Sequence, residues 1–316
     1  MNQSYTNLEI IIVDDGSTDE TPDLCEHIAT TDNRIRVIHK QNGRQASARN
    51  AGLKVCKGEY ILFLDSDDEL QPNCCEIVTK QITVSPDFVL FGFNVYKNGR
   101  LLRTPNPGNA IYQNGNWEIF KKHFKYLMPS PCNKLYKKSY IKVLFDESCV
   151  YGEDSIFNYA NLTEGTVLVA IEKCLYNVYL DKEDSVNKTF KEGKLRDIIK
   201  GANIRVNKLT NIFDIKNKAL DEIRIEALDG ILEGVYTCCN ALPQKTAIKE
   251  LEINLNNDRV LERKLTSTRL HLRPLNFFCQ NKHFKTAYIY CRILGWTIPK
   301  ARNLRNILHK WAHTGH

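Results

Sequence analysis

The 316-residue sequence predicts an α/β fold. The expected form is a mostly parallel sheet flanked by helices over residues 1–190, then a helical C-terminal region over 191–316. Three observations predict it. Short apolar runs rich in β-branched residues, at 8–13, 34–38, 60–64 and 88–93, alternate with segments of helical periodicity. Such alternation builds βαβ units, whose strands are covered on both faces. Beyond Phe190 the apolar residues fall at 3.6 spacing through 195–212 and 217–239, which predicts helices.

The elements follow in order. The 8–13 strand ends at Asp14-Asp15-Gly16-Ser17, a turn composition. Thr18, Asp19 or Thr21 caps the next helix, with Pro22 in its first turn, and the helix runs to about Thr30. The 34–38 strand leads into the Gln41-Asn42-Gly43 turn and a helix over 46–55. The 60–64 strand is followed by a helix over 72–83 and the 88–93 strand. Residues 96–112 carry the Gly, Pro and Asn of a loop or hairpin. Helices are predicted over 117–127, 133–143 and 154–161, with Met128-Pro129-Ser130-Pro131 as a breaker, and strands over 166–178.

Composition narrows the function classes. No apolar run of 18 residues is present, so no membrane-spanning helix is expected, and the N-terminus carries no secretory pattern. The eleven cysteines form no Cys-x-x-Cys pair, which argues against a disulfide framework or zinc site and suits a reducing cytoplasm. The net charge of +7 is unevenly placed. Eleven of the 44 Lys and Arg residues lie from Arg263 onward, where there is no Asp or Glu, leaving 33 bases against 37 acids in the remainder. Interspersed with Leu275, Phe277, Phe278, Phe284, Tyr288, Trp296 and Ile298, that basic segment fits an anionic membrane surface as well as a helical packing domain. No nucleic-acid motif accompanies it, and no nucleic-acid partner is expected.

The most telling residues are Asp65-Ser66-Asp67-Asp68 at the exit of the third strand, where a parallel sheet opens toward ligand. Three crowded carboxylates repel one another unless a cation sits among them. A hard divalent ion, Mn²⁺ or Mg²⁺, is the expected cofactor. Four motifs stand in order: Val13-Asp14-Asp15-Gly16-Ser17-Thr18-Asp19; Asn42-Gly43 with Ser47-Ala48-Arg49-Asn50-Ala51-Gly52; Asp65-Ser66-Asp67-Asp68; and Gly152-Glu153-Asp154. Over residues 3–180 this series resembles the family 2 inverting glycosyltransferases of GT-A fold.

The resemblance implies transfer of a sugar from a nucleotide-diphosphate donor, a UDP-sugar by expectation, to a glycan or lipid-linked acceptor hydroxyl. It implies bacterial cell-surface polysaccharide or lipopolysaccharide synthesis, cytoplasmic or peripheral at the inner face of the membrane. It places Asp67 and Asp65 on the metal. Asp14 or Asp15 accepts hydrogen bonds from the base, and the turn slightly favours Asp15. Arg49 stands near the acids or the diphosphate, and Lys134 near the acceptor or the diphosphate. Asp154 is the expected general base, with Glu153 as the alternative. Family members usually open with a further strand and helix before the segment found here at Asn2 to Asn7, so a shortened chain is expected. The competing expectations are a nucleotidyl transferase and a non-catalytic remnant or assembly subunit that lost donor binding with that strand.

Overall fold

The computed structural model describes residues 1–113, 115–180, 190–213, 215, 217–256 and 265–295. The chain divides into two compact units, one comprising residues 1–186 with 207–215, the other 187–206 with 216–316. Residues 181–189, just before the expected domain boundary, and the tail from Trp296, including Ile298, lie outside the described residues.

In the first unit, β1 (Ile10–Asp14) is followed by α1 (Thr21–Thr31), β2 (Ile35–His39) and α2 (Arg44–Val55). Pro22 in the first turn of α1 supplies a pre-set φ where no N–H is needed. β1 and β2 pair in parallel, with Asp14 opposite His39. Then come β3 (Tyr60–Leu62), β4 (Glu69–Leu70), α3 (Cys74–Thr79) and β5 (Phe88–Lys97). β6 (Arg100–Arg103), β7 (Ala110–Tyr112), α4 (Trp117–Ile119), β8 (Lys134–Lys137), α5 (Glu153–Asn161) and β9 (Leu168–Tyr179) complete it.

The main sheet runs β3-β8-β5-β9-β4, with β6 against β5 and β7 against β9. The expectation of a mostly parallel sheet holds for β1 with β2 and for β5 with β9. The other ladders are antiparallel, so the sheet is mixed. Among the described residues β1 pairs only with β2, and β3 only with β8.

Two helix expectations fail locally. Residues 134–137 form a strand, because Leu135 and Tyr136 are buried between β3 and β5. A short apolar run does not distinguish a buried strand from a buried helix by period alone. The helix expected over 117–127 is a brief α4 that widens into a π turn over Phe120–Phe124, where the Lys125 amide donates to the Phe120 carbonyl. That widening lets Phe120 and Phe124 both pack against Tyr112.

The core beneath the sheet contains Cys74, Val78, Val89, Phe91, Cys132, Leu135, Val169 and Tyr176. Phe63 meets Tyr136, Phe145 and Phe157 edge-on, and Phe145 stacks on Phe157 at 3.9 Å between ring centroids. This aromatic cluster fixes the start of α5 against the exit of β3.

The second unit is helical, with most of α6 (Lys194–Phe213), α7 (Asn217–Ala241), α8 (Gln244–Leu255), α9 (Arg273–Gln280) and helix over residues 284–295. Leu275 and Phe284 are buried in it, whereas Phe277 is exposed. The bulky residues of the basic segment are thus partly core. Asp229 accepts from Ser267 and Thr268, both at 2.5 Å, which anchors the start of that segment. No described helix is long and apolar enough to cross a membrane.

Phe157 is 1% exposed and touches three rings, so Phe157→Ala is expected to cost about 3–5 kcal/mol in urea unfolding, and Phe157→Leu clearly less.

Candidate active site

The site is assembled at the strand exits. Asp14 closes β1, and the chain turns sharply through Gly16 at φ +77°, where an added Cβ would sit 2.7 Å from the Asn42 amide nitrogen. The Ser17 amide donates to Asp14 Oδ1 at 2.9 Å, and His39 Nδ1 lies 2.9 Å from Asp14 Oδ2. Those hydrogen bonds, His39 first, lower the Asp14 pKa to about 2. In return Asp14 and Glu26 raise the His39 pKa. Asp15, the more open of the two, accepts from Lys40 Nζ at 2.6 Å and from the Gly43 amide at 3.0 Å.

Gly43 hands the chain to α2, and α2 carries Arg49 inward. Its guanidinium is buried, with the side chain 8% exposed. One arm donates to Asp65 Oδ1 at 2.7 Å, and the other donates to Asp154 Oδ1. The face of Phe145 lies 5.2 Å from the guanidinium carbon. Burial works against the charge of Arg49, but Asp154 and Asp65 outweigh it and raise its pKa. Gln45, one turn earlier on α2, also donates to Asp65 Oδ1 at 3.0 Å.

Asp154 stands in the first turn of α5, after Gly152 at φ +72°. Burial raises its pKa to about 6; Arg49 pulls it down, and the nearby charges of Glu153 and Asp65 push it up. Glu153 is half-buried beside it. The structure thus brings Arg49, Asp65 and Asp154 into one chain of ion pairs spanning 105 residues of sequence.

The acids after β3 separate in role. Asp67 is exposed in the turn. Asp68 turns inward and accepts from the Tyr179 amide at 3.1 Å, with Tyr176 as a second partner; burial raises its pKa. Lys134 departs from the expectation. It is fully buried, and its Nζ donates to the carbonyls of Leu127 and Ser130 and to Asn133 Oδ1. All three N–H groups have acceptors, so this lysine ties down the 127–131 loop instead of facing a ligand.

Several partners were not found from the sequence. Tyr176 accepts from the Asp65 amide at 3.1 Å. His39 and Lys40 face Asp14 and Asp15, a match that two adjacent strands ending in Asp-Asp and His-Lys could have disclosed. Gln45 and Cys132, whose Sγ lies 4.0 Å from Arg49, carried no signal. Among the described residues no group of three or more His, Cys, Asp or Glu side chains forms a ready-made metal cage. Clefts of about 380 Å³ at Lys97–Leu102 and about 630 Å³ between residues 57–59 and 137–142 lie elsewhere in the sequence from the site's residues.

Arg49→Ala leaves two part-buried carboxylates without their shared counter-charge. We expect a loss of about 2 kcal/mol in stability and an Asp154 pKa above about 6, read by carboxyl NMR titration. In the unmutated chain, Asp154 titrates higher when folded than its ordinary 3.8. Its unfavourable contribution is therefore absent at low pH and grows as pH rises from 3.8 to about 6.

Comparison with known proteins bears on the family and the fold. Residues 1–145 match the family model described as glycosyl transferase family 2. Glycosyltransferase GlyG of Streptococcus pneumoniae is 44% identical over 93 residues, covering 29% of this chain and 31% of that protein. Chondroitin synthase of Pasteurella multocida is 36% identical over 123 residues, covering 39% of this chain and 12% of that protein. The chain thus spans less than a third of the length of either relative. The crystal structure of Staphylococcus aureus TarS 1–349 in complex with UDP has the same fold, with a TM-score of 0.66 at 20% identity over 92% of this chain and 83% of that one. Residues 1–145 are thus similar to glycosyl transferase family 2, and the fold matches a GT-A architecture.

Proposed function

We propose that this chain transfers a sugar from a nucleotide-diphosphate donor, a UDP-sugar, to an acceptor hydroxyl with inversion at the anomeric carbon. The acceptor class is a glycan or lipid-linked glycan of bacterial surface polysaccharide. The single observation carrying the reading is the Asp154–Arg49–Asp65 linkage, which joins a carboxylate of raised pKa to the acids at the strand exit.

The chemistry follows from those groups. A carboxylate with a pKa near 6 is ionised at neutral pH and is a stronger base than an ordinary aspartate. Asp154 takes the acceptor hydroxyl proton as that oxygen bonds to the anomeric carbon. The bond from that carbon to the donor phosphate oxygen breaks on the opposite face, and the electron pair leaves on the diphosphate. One displacement inverts the centre. Arg49 holds Asp154 in place throughout. Asp14 or Asp15 serves the base of the donor.

Asp65 and Asp67 offer hard oxygen donors of the kind Mn²⁺ and Mg²⁺ take, and such ions complete their shells with water and substrate phosphate, so a full protein cage is not required. When bound there, a divalent ion stabilises the charge that grows on the leaving diphosphate. Work at the inner membrane face, aided by the basic segment from Arg263, belongs to the same reading.

A second reading, a subunit lacking donor binding, draws on the sheet. β1 and β3 each keep one edge without a ladder partner among the described residues. Calorimetry with UDP-sugar and Mn²⁺ separates the two, since only the first predicts heat of binding.

For the enzyme reading, Asp154→Asn is expected to lower kcat by about 10²–10⁴ with donor affinity nearly unchanged. The rate should fall as pH drops through about 6, where the base becomes protonated, and a flat profile between pH 5 and 8 would refute that role. Chelation should abolish transfer and Mn²⁺ restore it; full turnover in chelator would refute the metal assignment.

A further inference from the structure

The β5–β6 hairpin presents a surface that the transfer reaction leaves unused. Asn98 and Gly99, at φ +50° and +69°, make the tight two-residue turn that pairs Lys97 with Arg100 and Tyr96 with Leu101. All four residues of β6 are exposed, with Leu101 at 53% and Leu102 at 56%. Leu101 pairs with Tyr96 but Arg103 pairs with the adjacent Val95, so β6 carries one extra residue at Leu102 and regular alternation is broken there. Residues 97–104 hold three cations and no acid, and none of the three makes an ion pair among the described residues. Lys97, Asn98, Arg100 and Leu102 also line the cleft of about 380 Å³.

Two adjacent leucines that are half exposed gain nothing from water. Cations at both ends of the same strand seek anions. One partner offers both at the required depth: a bilayer surface with anionic headgroups above an apolar layer. A second copy of the chain fits worse, because two-fold pairing of β6 with itself would bring two sets of three cations together.

We propose that the β5–β6 hairpin docks on an anionic phospholipid surface, seating Leu101 and Leu102 below the headgroups and Lys97, Arg100 and Arg103 among the phosphates. This docking is independent of the catalytic assignment.

The test is sedimentation of the full chain with phosphatidylcholine vesicles, with and without phosphatidylglycerol. Binding should require the anionic lipid. Arg100→Gln with Arg103→Gln should weaken it about 25-fold, about fivefold for each charge. Leu101→Ser with Leu102→Ser should weaken it at least about tenfold. Both variants keep the C-terminal basic segment and should melt like the parent, because the substituted side chains are exposed. In full-length Leu102→Trp, the added fluorescence should shift to the blue with anionic vesicles. Pelleting of either double variant like the parent, failure of the parent to pellet, or no shift at position 102 would overturn the proposal. So would unchanged vesicle binding together with a leucine-dependent dimer.

Discussion

The arrangement of the first unit depends on one buried cation. Arg49 ties α2 to the exit of β3 through Asp65 and to the start of α5 through Asp154. A planar fork serves two carboxylates at once, which a lysine point charge cannot do with the same geometry. The aromatic floor makes the pairing tight. Phe145 lies under the guanidinium, Phe157 stacks on Phe145, and Phe63 abuts both. Because the guanidinium is buried against that floor, the two ion pairs act at a lower dielectric than fully exposed pairs would. The same burial raises the pKa of Asp154, so structural support and basicity have one cause.

Strand β9 is the second support. Its Tyr176 hydroxyl takes the Asp65 amide, and its Tyr179 amide reaches the Asp68 carboxylate. The four-residue acidic turn is thereby pinned at its first and last members, which leaves Asp67 facing solvent. One acid of the motif is structural, one is bound to Arg49, and one is free to meet a ligand. A sequence shows three equivalent letters; only the neighbouring strand assigns them different work.

What was legible in the sequence follows from which forces are local. The strand exits at Asp14 and Asp65, and the helix carrying Arg49, were readable because β-branched runs, turn residues and helical spacing are near-neighbour effects. The strand at Lys134–Lys137 was not, because its state is set by β3 and β5, whose paired residues lie 73–77 and 44–48 positions upstream. The register of the first pair is Tyr60 with Lys137 and of the second Leu90 with Lys134. Lys134 misled for a related reason. A lysine is usually exposed, and only its place in the strand between β3 and β5, with the Leu127 and Ser130 carbonyls accepting from it, turns that prior over. The two arms of Arg49 were half visible, since a basic residue near the acids was expected, but its bridging to Asp154 rests on the fold.

Charge accounting at the strand exits bears on the metal. Asp14, Asp15, Asp65, Asp67, Asp68, Glu153 and Asp154 gather there against Arg49, Lys40 and His39. Each of those bases is already spent on an acid: Arg49 on two, Lys40 on Asp15 and His39 on Asp14. A nucleoside diphosphate brought to this face adds more negative charge, and the repulsion grows as water leaves. Lys134, expected near the acceptor or the diphosphate, is occupied inside the fold. That balance supports the proposed divalent ion beside the diphosphate. Asp67, exposed and oxygen-bearing, is where such an ion would meet the donor. The case for a divalent ion thus rests on the balance of the whole site, and the three-letter acidic motif is only its most visible part.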